Sequence, residues 1–163
     1  MLGFFKASKR SVFAAFFVCI FAFGAQGSFA QNFKTPLVIE KADGTLQAFQ
    51  VELALTNAQR SKGLMYRAEL APDDGMLFIF ADLQLMNFWM RNVPISLDII
   101  FLNPDGSIIN IAANAEPHTD THRSSNGPAK AVLELAGGRA TELGIKAGDI
   151  VRHALLGNMK SGK

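Results

Sequence analysis

From residue 36 onward, short apolar runs alternate with turn signals at hairpin-like intervals, and that punctuation confines the chain to a β architecture. Asp43-Gly44 lies between LVIE and TLQAFQVELAL, the dipeptide that most favours a tight hairpin. Phe49, Val51, Leu53 and Leu55 alternate with Gln50, Glu52 and Ala54, the period of a half-buried strand. APDDG makes a turn before MLFIF, a buried strand by composition. In the next run Ile95, Leu97, Ile99 and Phe101 share one face, while Ser96, Asp98 and Ile100 share the other. Asn103-Pro104-Asp105-Gly106 turns that strand into a partner over Ser107–Ala113. AKAVLEL and DIVRHALL read as two further strands, and the tail GNMKSGK is expected to fray. Residues 115–128 form a polar loop of 14 residues, long enough to be functional or mobile.

Two helices interrupt the pattern. Thr56-Asn57-Ala58-Gln59 has the form of a capping box, so a short helix should run through Arg60 to about Lys62 and break at Gly63. A second should lie between the glycines of GGRATELGIKAGD. The count is six or seven strands and two helices, with no βαβ rhythm, no repeat and no low-complexity segment. The predicted fold is mainly β: an antiparallel sandwich or open barrel with one or two short helices.

Residues 1–30 are set apart as a signal peptide. Lys6, Lys9 and Arg10 precede SVFAAFFVCIFAFGA, an apolar run short of a membrane span, and Ser28 and Ala30 stand at −3 and −1 of a cleavage site. The product is expected to be periplasmic or secreted after cleavage near Ala30, with no stable membrane span. The alternative is an uncleaved inner-membrane anchor. Cys19 is the chain's single cysteine and falls in the leader; Phe16, Phe17 and Val18 before it are too large for a lipoprotein signal. The remaining 133 residues make one domain, 31–163, with no disulfide and no thiolate chemistry. They keep 13 of the 16 basic residues against 14 acidic ones, so nucleic acid is not an expected partner. The expected partners are a small molecule, a peptide or an envelope component, and the domain is expected to be a monomer.

Five blocks carry a resemblance: VELALTNAQRSKGLMYR, GMLFIF, FWMRNVPISLDIIFLNPDG, GPAKAVLELAGG and LGIKAGDIV, in that order. They span most of the mature domain. The chain resembles the exported proteins of the family called domain of unknown function 192. The resemblance implies a small β-rich exported domain and no particular activity. HTDTH lies outside the blocks.

FWMRNVPISLDIIF offers the first candidate site. Trp89 would supply a flat apolar wall, Arg91 and Asn92 donors, and Asp98 an acceptor, which suits a sugar or a carboxylate. The favoured reading of Asp98 is structural: a carboxylate in an apolar strand needs partners, from Arg67, Arg91 or backbone amides, and would fix the turn at Val93-Pro94. Arg67 is either an anion clamp or half of an ion pair, and Arg60 either clamps with it or faces solvent. Asp98 and Glu134 both lie in strands, so they are the candidate pair for a small hydrolase or lyase. His118, Asp120 and His122 would project to one side of an extended segment and are the candidate metal ligands, without a fourth at a telling spacing. Met65, Met76, Met86 and Met90 read as core fillers. No GxSxG, HExxH, phosphate loop or Cys–His pair occurs, and no cofactor is expected. The expected function is that of a non-catalytic binding or accessory module of the cell envelope.

Overall fold

The computed structural model describes residues 33–160. The expected signal peptide and its expected cleavage site at Ala30 lie outside the described residues. Nine strands form: β1 (Lys34–Glu40), β2 (Leu46–Ala54), β3 (Asp74–Gln84), β4 (Asn87–Phe88), β5 (Leu97–Leu102), β6 (Ile108–Ala115), β7 (Arg123–Ser124), β8 (Ala129–Ala136) and β9 (Ile150–Arg152). The helices are α1 (Asn57–Lys62) and α2 (Arg139–Leu143), followed late in the chain by a single 3₁₀ turn at Ala154–Leu156.

Seven strands make one sheet in the order β6-β5-β8-β3-β2-β1-β9, and β4 pairs with β7 outside it. The sheet curls into an open half-barrel. Its two edges meet at one end, where Ser107 bridges Ile150. There Ile108 N–H donates to Asp149 O and Val151 N–H to Gly106 O, both at 2.8 Å. Gly106 takes φ 86°, and a Cβ on it would lie 2.2 Å from Val151 O, so only glycine lets the edges close.

The hairpin at Asp43-Gly44 and the turn at Asn103–Gly106 form as expected, with β1–β2 and β5–β6 antiparallel. Every pairing in the large sheet is antiparallel except one. β2 and β3 run parallel, joined through α1, so a single βαβ crossover exists where no such rhythm was expected. It escaped notice because α1 has only six residues. Two further differences concern the C-terminus. DIVRHALL contributes three strand residues and then turns. The segment after it does not fray at Asn158, whose Nδ2 donates to Asp105 O and Val151 O at 2.8 Å and whose Oδ1 accepts from His153 N–H.

Both faces of the sheet are covered, so there are two cores. All six residues of β5 are buried. Ile100 and Leu102 point into the barrel with Leu37, Ile39, Phe49, Val51, Leu133 and Leu135. Leu97, Ile99 and Phe101 point outward against Phe78, Met86, Met90, Val93 and Val132. The outer face is covered by the segments that follow α1 and β3. Leu64, Met86 and Met90 are buried there, so three apolar side chains outside the large sheet shield the outer face.

Candidate functional site

On the outer face the cover leaves a gap. Its floor is β3 and β8, which supply Phe78, Phe80 and Glu134. One wall is α1 with Gly63, Leu64 and Met65, and the other is Asn87, Phe88, Trp89 and Val93. The cavity has a volume of about 290 Å³.

Local sequence rules place the first wall. Thr56 accepts from Gln59 N–H, and the Gln59 side chain accepts from Thr56 N–H, which is the expected capping box. The box starts α1 and Gly63, at φ 46°, ends it. Gly63 also sits against the Phe78 ring, 3.3 Å from where a Cβ would be, so the chain passes close over the floor. Arg60 is tied down: Nη1 donates to Leu55 O at 2.5 Å and Ile79 O at 2.9 Å, Nη2 donates to Asn57 Oδ1, and the guanidinium lies 5.0 Å over the Phe80 ring. Lys62 stands exposed beside it. Neither cation pairs with a carboxylate among the described residues.

The second wall is aromatic. Phe88 packs edge-on to Phe78 at 5.4 Å and to Phe101 at 6.1 Å. Trp89 is 45% exposed at the rim. Phe88 belongs to β4, which β7 holds in place from the polar loop.

Glu134 is the chemical feature of the floor. It is 5% exposed, and its Oε2 has no hydrogen-bond partner among the described residues. Burial penalises its charged form and pushes its pKa up to about 8. At neutral pH it is therefore chiefly a neutral carboxylic acid. A buried polar atom without a partner is costly in a native fold, and one on a residue that lines a cavity points to a missing ligand or water. On the same face, Met76 stands between Glu134 and Glu52 in the strand register. Glu52 is matched: Arg67 grips it with two bonds, at 2.5 and 2.9 Å.

The other expected site residues distribute differently. Asp98 is fully buried on the barrel side and accepts three backbone N–H groups, from Asn114 at 2.8 Å, Gly138 at 3.0 Å and Ala140 at 2.7 Å. It caps α2 from a neighbouring strand, where Gly138 has no side chain to do so. Its partners are backbone amides, neither Arg67 nor Arg91, and it ties down the Gly137-Gly138 turn where Val93-Pro94 was expected. Asp98 stands opposite Leu135, and Glu134 opposite Ile99. Cross-strand neighbours share a face, so the two carboxylates point to opposite sides of the sheet. They do not converge, and the hydrolase or lyase pairing fails on geometry.

Arg91 leaves the pocket to pair with Asp120 at 2.9 Å, lying 5.6 Å from the Trp89 ring. Asn92 takes φ 59°, a left-handed conformation that asparagine tolerates, and its carbonyl accepts Tyr66 N–H at 2.7 Å. It does not line the cavity. His118, Asp120 and His122 do not assemble. Asp120 is held by Arg91, His122 packs 6.2 Å from the Trp89 ring, and no group of three metal-binding side chains occurs among the described residues. Of the candidates named from sequence, Trp89, Glu134 and Arg60 line the cavity. Phe78, Phe80, Phe88 and Lys62 were missed, and Arg60 was assigned to solvent or to an Arg67 clamp. The available signal was that Glu134 alternates with apolar residues in a strand buried on both sides.

The family model for DUF192, described as uncharacterized ACR, matches residues 38–153. Two solved structures are similar. One is a protein of unknown function from Novosphingobium aromaticivorans DSM 12444, with 45% identity and a TM-score of 0.71 over 74% of this chain and 85% of that one. The other, from Sinorhizobium meliloti 1021, has been proposed to be a transcription regulator. It has 40% identity and a TM-score of 0.73 over 74% of this chain and 94% of that one. No curated protein matches. With its family model covering residues 38–153 and two structures of the same fold at 40% identity or more, the chain belongs to the DUF192 family.

Proposed function

We propose that the protein is an exported, non-catalytic binding domain whose ligand sits in the cavity floored by Glu134. The observation that carries this reading is a buried acid with an unpartnered oxygen, Glu134, lining an aromatic-walled concavity. Binding is favoured over catalysis because the paired-carboxylate chemistry expected of Asp98 and Glu134 needs two converging acids. Among the described residues Glu134 is the only carboxylate lining the cavity, and Asp98 faces the other way. Transcription regulation, the role proposed for the Sinorhizobium meliloti protein, finds little support in a nearly balanced charge of 13 basic and 14 acidic residues after the leader. The charged, apolar and small-residue order of residues 1–30 supports export to the envelope.

The test is native mass spectrometry of the protein purified from its own cells. A small molecule should stay bound and be absent from Glu134→Leu. An unliganded protein whose single tryptophan, Trp89, shows no change in emission across a metabolite panel would remove the reading. N-terminal sequencing of the exported form should begin at Gln31; an intact Met1 in the membrane fraction would mean an anchor.

A further inference from the structure

We infer that the cavity selects a small zwitterion, with a primary ammonium group seated on Glu134, an acidic group held at the mouth by Lys62 in the positive field of Arg60, and a short apolar body between. The inference rests on the binding reading above and adds the ligand class. It starts from the order of charges along the depth of the cavity. Glu134 lies at the bottom, 5% exposed. Phe78 and Val93 are buried beside it, Phe88 and Phe80 are half-buried above, and Lys62 is exposed. An acid at the closed end and cations at the open end match a ligand whose two charges have the reverse order.

The Glu134 carboxyl has no hydrogen-bond partner for its Oε2 among the described residues. Ser61 and Asn87 in the lining can offer only neutral donors, and Lys62 is exposed at the mouth. Arg60 is committed to Leu55 O, Ile79 O and Asn57, and stacks on Phe80. From β3 the facing residues are Met76, Phe78 and Phe80, from β5 Ile99, and from β4 Asn87 and Phe88. None of these titrates. From β2 the facing acid is Glu52, already neutralised by Arg67. Beyond Trp89 lie His122 and the Arg91–Asp120 pair, which is closed on itself. No cation of the chain pairs with Glu134 among the described residues, which leaves the carboxyl to a cation brought by a ligand. Burial keeps the unliganded acid protonated at neutral pH. When an ammonium group arrives, the carboxyl proton leaves to solvent and an N–H···O⁻ contact replaces it, so charge balances inside the cavity.

Two exclusions sharpen the class. A quaternary ammonium has no N–H for the Glu134 carboxylate. A simple amine gains nothing from Arg60 and Lys62 and is repelled by them on entry. The volume of about 290 Å³ is near the low end for small-molecule sites and suits a single amino-acid-sized molecule.

Three probes of one chain length separate the charges: 5-aminopentanoate, pentylamine and pentanoate. They are titrated calorimetrically into the protein as its cell processes it, with Trp89 emission as a second readout. 5-Aminopentanoate should bind about tenfold more tightly than the amine, and the amine more tightly than the acid. Binding of either ammonium probe should release close to one proton near neutral pH, read from buffers of different ionisation heat, and should tighten as pH rises towards about 8. Glu134→Gln, a neutral isostere, should abolish that release and weaken 5-aminopentanoate about tenfold while sparing pentanoate. Lys62→Ala should weaken 5-aminopentanoate but not the amine. Tightest binding of pentanoate, loosening as pH rises, would overturn the ligand class and leave the pocket standing. Unchanged 5-aminopentanoate binding in Glu134→Gln would overturn it as well. So would no binding of any probe at millimolar concentration; the retained-molecule experiment then decides separately whether the pocket binds at all.

Discussion

Two carboxylates in adjacent strands meet opposite fates, and the difference is one of hydrogen bonding. Asp98 and Glu134 are both buried. Asp98 accepts three backbone amides. Removing it strands buried donors, so Asp98→Ala should cost about 3 kcal/mol or more. Asp120→Ala, at an exposed pair with Arg91, should stay within about 0.5 kcal/mol. Denaturant midpoints of the two variants test the order. Glu134 predicts the reverse. Its acid is raised from 4.5 to about 8, so the folded state holds a proton that the unfolded chain gives up. Below pH 4.5 both states are protonated and nothing is lost. Stability then falls as pH rises to about 8 and stays at the lower level above it. Glu134→Gln should therefore stabilise the fold by roughly 3 kcal/mol at pH 7, with no gain near pH 4. Parallel urea titrations of wild type and variant across that range measure it. That Asp98 needed partners was legible from its apolar strand. Which partners it has was not, because Gly138 and Ala140 are some forty residues away.

At the scale of elements, α1 is the clearest case of local chemistry deciding structure. Its start, its cap and its end at Gly63 were readable because each depends on residues within one turn. Thr56→Ala should cost about 1 kcal/mol, visible in thermal unfolding. It should also weaken ligand binding, because the same turn carries Arg60 and Lys62 to the mouth of the cavity. The parallel pairing of β2 with β3 was not readable. Strand alternation looks the same whether the partner runs up or down, and the choice depends on where α1 and the following loop carry the chain. The polar loop shows the same limit. Nothing local in HTDTHRSS indicates that Arg123 and Ser124 pair with Phe88 and Asn87 and so hold the aromatic wall.

Over the whole described domain, one sheet serves two cores. Inward and outward side chains alternate on the same backbone, so neither core can be lost while the other keeps its strands. Unfolding followed at Trp89, over the outer core, should coincide with unfolding followed by far-ultraviolet circular dichroism, which reads the sheet. Separate midpoints would mean that the outer cover opens on its own. The closure of the half-barrel adds to this coupling. Asn158 joins the turn before β6 to β9 through Asp105 and Val151, so its removal should lower both midpoints together.

What the amino-acid order determined by itself was the class of fold, most strand positions, two turns, α1 and the expectation of export. Each of these depends on residues close in sequence, through alternation, capping or turn geometry. Register and curl were decided only by the tertiary structure. Register sent Asp98 and Glu134 to opposite faces, and curl left one acid with three amides and the other lining an aromatic cavity with one oxygen unpartnered. Whether a buried carboxylate is a cap or a binding group depends on which donors reach it, and those donors come from distant parts of the chain that only folding brings together.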